Sequence, residues 1–81
     1  MRVTVRLFAR LRDIAGCGDL VREAPAGATV ADVWHILIGE FPEMAGYDSS
    51  ISTAVNADYA KMTAALSDGD EVAFLPPVSG G

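Results

Sequence analysis

Thiol and imidazole groups are scarce in this chain of 81 residues, which carries one cysteine, Cys17, and one histidine, His35. A single thiol cannot close an internal disulfide, and one thiol with one imidazole is too few ligands for a zinc site or for two-histidine chemistry. Lysine is equally scarce, with Lys61 alone. No apolar run approaches the ~20 residues that a membrane-spanning helix needs. The amino end meets arginine at position 2 and has no apolar stretch of the kind found in secretion signals. The expectation is a cytoplasmic protein whose thiol stays reduced. There is no glycine-rich phosphate loop, no internal repeat and no low-complexity linker. A formal net charge of −5 argues against nucleic acid and against an anionic membrane as partners.

What is present describes a single folded domain. Apolar residues make up 51% and charged residues 21%, the balance of an ordinary globular chain. The charge is unevenly spread. Arg2, Arg6, Arg10 and Arg12 lie in the first twelve residues without an acid among them, whereas all eleven acids follow. Such a stretch reads as a solvated strand edge and turn, or as a basic lip for an acidic partner.

Residues 2–8 alternate, with Val3, Val5 and Leu7 on one side and Arg2, Thr4, Arg6 and Phe8 on the other, which predicts a half-buried strand. Residues 9–15 fit a short helix with Leu11 and Ile14 inward, and residues 19–24 a second strand. The clearest helix covers residues 29–41. Thr29 and Asp32 are spaced as a capping pair. Val30, Val33, Trp34, Leu37, Ile38 and Phe41 make one apolar stripe, Ile36 falls outside it, and Pro42 stops the helix. Residues 43–50 read as loop or a single turn. Residues 51–56 predict a third strand, Asn56 to Asp58 a turn, Tyr59 to Met62 a short return strand, and residues 71–75 a last strand with Val72 and Phe74 inward. One helix cannot cover both faces of a sheet. The order therefore predicts an α+β fold of the β-grasp, ubiquitin-like kind: a mixed sheet with one main helix on one face and the first and last strands adjacent at its centre. The domain is expected to occupy residues 1–75.

Beyond it, Pro76-Pro77-Val78-Ser79-Gly80-Gly81 is expected to be a flexible tail. The prolines cannot join a sheet and hold an extended path. Six residues at ~3.3 Å each reach roughly 20 Å. The final glycines make a thin tip, able to enter a channel too narrow for side chains. Its one functional group is the α-carboxylate of Gly81. A carboxylate becomes an electrophile only after activation, as an acyl phosphate or adenylate, and this chain holds no machinery for that. Activation therefore falls to a partner's active site, with the tip as substrate.

The segment from Leu66 to Gly81, ending Phe-Leu-Pro-Pro-Val-Ser-Gly-Gly, resembles the carboxyl-terminal signature of the molybdopterin synthase small subunit, the MoaD family. Phe8-Ala9-Arg10-Leu11-Arg12-Asp13 and Val55-Asn56 are similar to further motifs of that family. The resemblance implies that an E1-like adenylyltransferase, using ATP, adenylates Gly81. Sulfur then replaces the adenylate, giving a thiocarboxylate. It further implies that the tail enters a large subunit, MoaE, in a heterotetramer and donates sulfur to cyclic pyranopterin monophosphate. The small subunit would be the sulfur-donor part of a transferase, with the substrate pocket in its partner and with no cofactor or metal of its own.

Phe8 and Leu75 are expected to form an outward apolar patch for that partner, with Arg12 set to pair with a partner carboxylate. Pro76, Pro77, Val78, Ser79 and Gly80 complete the expected contact residues, and Gly81 is the reacting one. Cys17 and His35 read as incidental, Trp34 as core, and Asp68, Asp70 and Glu71 as turn residues rather than metal ligands. Alternatives are a ThiS-like carrier for thiamin thiazole synthesis, a ubiquitin-like modifier and a plain interaction module. The Pro-Pro-Val before the last three residues favours the molybdopterin branch over ThiS. One lysine leaves little choice of site for a chain-forming modifier.

Overall fold

The alternating amino-terminal segment becomes the central strand β1, Arg2–Leu7, whose Val3, Val5 and Leu7 are buried. The computed structural model describes residues 1–77. The strand ends one residue earlier than the alternation predicts. Phe8 is instead the residue before helix α1, Ala9–Ala15, which buries Leu11 and closes on a left-handed Gly16. Strand β2, Asp19–Glu23, returns antiparallel to β1.

Helix α2, Val30–Glu40, is capped as its sequence dictates. The Thr29 hydroxyl accepts the Asp32 amide hydrogen, and the Asp32 carboxylate accepts the Thr29 amide hydrogen at 2.9 Å. These bonds, the Thr29 amide first, hold the Asp32 carboxyl below its ordinary pKa. The helix buries Val30, Val33, Trp34 and Leu37 against the sheet. Each such side chain contributes about 1.5–3 kcal/mol over its exposed state. Ile36, placed outside the stripe by periodicity, is half-buried and packs against the core. The segment that follows packs against α2. That segment, expected as loop or a single turn, is a 3-10 helix at Pro42–Tyr47, and its Met44 is fully buried.

Strand β3, Ser52–Val55, and strand β4, Asp58–Tyr59, form a hairpin on a two-residue turn. The return strand stops at Tyr59 instead of Met62. Strand β5, Glu71–Leu75, runs parallel to β1 and antiparallel to β3, so the sheet order is β2-β1-β5-β3-β4. This is the β-grasp arrangement expected, with first and last strands paired at the centre. The core lies between α2 and the inner sheet face, where the rings of Trp34 and Phe74 stand 5.0 Å apart. No helix among the described residues is long and apolar enough to cross a membrane.

Candidate functional site

With α2 on one sheet face, the side chains of the other face are free to make a site. Cross-strand register decides which ones meet. Ala73 of β5 lies opposite Arg6 of β1 on one side and Ala54 of β3 on the other, and Ala54 lies opposite Tyr59 of β4. Two alanines side by side leave a depression, since neither side chain extends beyond Cβ. Phe8, Tyr59 and Leu75 rise around it, with Ala57 and Glu71 completing a mostly apolar cavity of about 280 Å³. Tyr59 is 85% exposed and Phe8 39%, and the two share one cavity instead of lying scattered over the surface.

The structure thus brings Phe8 and Leu75 to one cavity. Leu75 is also the last residue of β5, so Pro76 and Pro77 leave from the cavity's rim. Val78, Ser79, Gly80 and Gly81 lie outside the described residues. Arg12 faces a neighbouring, more polar hollow lined by Arg6, Leu7, Phe8, Ala9, Gly18 and Asp19. Phe8 belongs to both depressions, and the Arg6 guanidinium carbon sits 5.9 Å from its ring centre.

The four amino-terminal arginines do not act as one positive surface. Arg6 contacts Asp19 at 2.6 Å and Glu71 at 3.6 Å, and Arg2 contacts Glu23 at 3.2 Å. Arg10 and Arg12 form no ion pair among the described residues. The two arginines without an ion pair are therefore both on α1, which follows Phe8 and also carries Asp13. No group of potential metal ligands is found among the described residues. Asp68 and Asp70 serve the turn before β5: Asp68 accepts the Arg2 amide hydrogen at 2.7 Å, and Asp70 accepts that of Ser67 at 2.8 Å. Cys17 is partly buried and His35 is exposed on α2.

Ala54, Ala57 and Tyr59 were not among the residues that sequence reasoning placed in the site. A signal existed. If Ile51, Thr53 and Val55 share the inner face, period two puts Ala54 outward, as it puts Ala73 outward on β5. Their meeting required the β3–β5 register, which neither strand carries alone.

A model of the ThiS family matches residues 5–81. The molybdopterin synthase sulfur carrier subunit of Arabidopsis thaliana is 35% identical over 81 residues, covering 100% of this chain and 84% of that protein. The crystal structure of SAMP1 from Haloferax volcanii superposes with a TM-score of 0.89 at 31% identity, covering 100% of both chains. A chain in the crystal structure of the Amycolatopsis orientalis BexX/CysO complex matches with a TM-score of 0.73 at 28% identity, covering 98% of this chain and 99% of that one.

Proposed function

This chain belongs to the ThiS family, and on that premise we propose that it carries sulfur on the carboxyl group of Gly81 for molybdopterin synthesis. The observation that carries this reading is the cavity at the end of β5: the exit of the Pro-Pro segment and the apolar docking surface share Leu75. A partner seated on Phe8, Tyr59 and Leu75 is therefore placed to receive the residues that follow. The name of the Arabidopsis relative, a sulfur carrier subunit of molybdopterin synthase, supports the same pathway.

The chemistry divides between chains. In an E1-like partner the Gly81 carboxylate attacks the α-phosphorus of ATP, forming an acyl adenylate and releasing pyrophosphate. Hydrosulfide from the sulfur donor attacks the acyl carbon, displaces AMP and leaves a thiocarboxylate. The large subunit then takes up residues 76–81 and supplies the pterin pocket and any acid or base. In the small chain, the sheet presents the cavity, Arg12 offers a charge to a partner carboxylate, and the prolines hold the path extended. The small chain brings the reacting sulfur, and its partners bring the catalytic groups.

A second reading is favoured by one observation, the similarity to SAMP1, small archaeal modifier protein 1 of Haloferax volcanii. A modifier would use the same adenylate but pass its acyl group to a lysine amine. One experiment separates the readings. The chain is incubated with E1-like enzyme, ATP and a sulfur donor, and its mass measured. One oxygen exchanged for sulfur, followed by dithiolene formation when large subunit and cyclic pyranopterin monophosphate are added, is the expected result. Lysine conjugates without dithiolene would support the modifier, and an unchanged mass would reject the carrier chemistry.

A further inference from the structure

The turn between β3 and β4 has two residues, Asn56 and Ala57, between the paired Val55 and Asp58. Both are left-handed, with φ of 50° and 72°. Two-residue hairpins of this kind favour asparagine followed by glycine, because only glycine takes the second position without steric cost. Asn56 meets its half of the pattern: its side chain donates to Asp70 and accepts the Glu71 amide hydrogen, both at 3.0 Å. Ala57 does not. Its Cβ is held against the backbone in a conformation that glycine would relieve.

The Asn56 bonds to Asp70 and Glu71 hold the turn in place, so the strain is offset by the hairpin and not by packing of the Ala57 methyl in the core. Ala57 is exposed and does not belong to the core or to the hydrophobic residues packed against it. It lines the cavity with Ala54, Tyr59, Glu71, Ala73, Leu75 and Phe8. An outlier of this kind on a cavity wall points to a role in the bound state. We infer that Ala57 is a specificity-determining residue of the docking cavity: its methyl contacts the apolar side chain that the partner inserts over Ala54 and Ala73. The occupant is the protein that takes up residues 76–81, because Leu75 is both a cavity wall and the start of that exit. This inference rests on the docking step of the proposed function.

The test compares three full-length chains, wild type, Ala57→Gly and Ala57→Ser, by calorimetric titration with the large subunit and by thermal melting. Ala57→Gly is expected to melt a few degrees higher, since it relieves the left-handed strain. It is expected to bind about fourfold more weakly, the worth of one buried methyl-sized group. Ala57→Ser keeps Cβ and is expected to bind within about twofold of wild type. A glycine variant that binds as well as wild type, or a serine variant as weak as glycine, would overturn the inference while leaving the docking surface intact. Failure of the wild-type chain itself to bind would overturn the docking step and this inference with it.

Discussion

Asn56 and Asp70 tie the β3–β4 hairpin to the turn that leads into β5. The Asn56 amide donates to one Asp70 carboxylate oxygen at 3.0 Å, and Ser67 donates its backbone N–H to the other at 2.8 Å. The Asn56 carbonyl oxygen accepts the backbone N–H of Glu71, the first residue of β5. One asparagine and one aspartate thus hold two edges of the cavity in register.

These bonds make stability depend on acid. The Ser67 amide first, and Asn56 second, hold the Asp70 carboxyl below its ordinary value of 3.8. A lowered folded pKa gives stability that is present above the unfolded value and lost as pH falls through the folded one. Asp70→Ala is therefore expected to lower the melting temperature at neutral pH. Its deficit against wild type should shrink as pH falls below that ordinary value. Melting curves between neutral and acid pH check this, and a deficit independent of pH would contradict it.

Trp34 is buried to 1% exposure, and its indole N–H donates to Asp48 at 2.7 Å. This bond joins α2 to the segment that follows the 3-10 helix covering Met44. Asp48→Ala removes the acceptor and should cost about 1 kcal/mol. In a domain of this size that lowers the melting temperature by roughly 4–8 °C. Asp48→Asn, which retains an acceptor oxygen, should recover most of the loss.

Ala73 forms the cavity floor opposite Arg6. Ala73→Glu would put a carboxylate there with Arg6 in reach, so the isolated domain should melt within a few degrees of wild type. Docking an apolar partner over that carboxylate would bury charge, and affinity for the large subunit should drop roughly tenfold or more. Parallel titration and melting separate the two effects.

Deletion of Gly81 should abolish sulfur transfer and leave the melting temperature unchanged. All buried core residues of the described chain lie before position 76. A truncated chain that still formed dithiolene with the complete system would rule out the terminal carboxylate as the sulfur site.

Much of the architecture could be read from local pattern. The alternation of β1, the capping pair Thr29 and Asp32, the stripe of α2 and the inward Val72 and Phe74 each depend on residues close together in the chain. The 3-10 helix at Pro42–Tyr47 was legible only as loop or a single turn, since its one buried residue, Met44, shows no period. Ile36 falls outside the apolar stripe by period yet packs beside the core, because helical periodicity marks the centre of the buried face better than its margins.

The sequence by itself determined the element order, the inner face of each long element and the two prolines after β5, because backbone sterics and hydrophobic period act over a few residues. Tertiary structure alone decided the site. Ala54 and Ala73 are nineteen positions apart, and Phe8 and Tyr59 lie on opposite sides of the pair. They make one cavity only because parallel pairing of β1 with β5 and antiparallel pairing of β3 with β5 set the register. Register arises from the simultaneous burial of all inner faces against α2, a condition no single segment encodes.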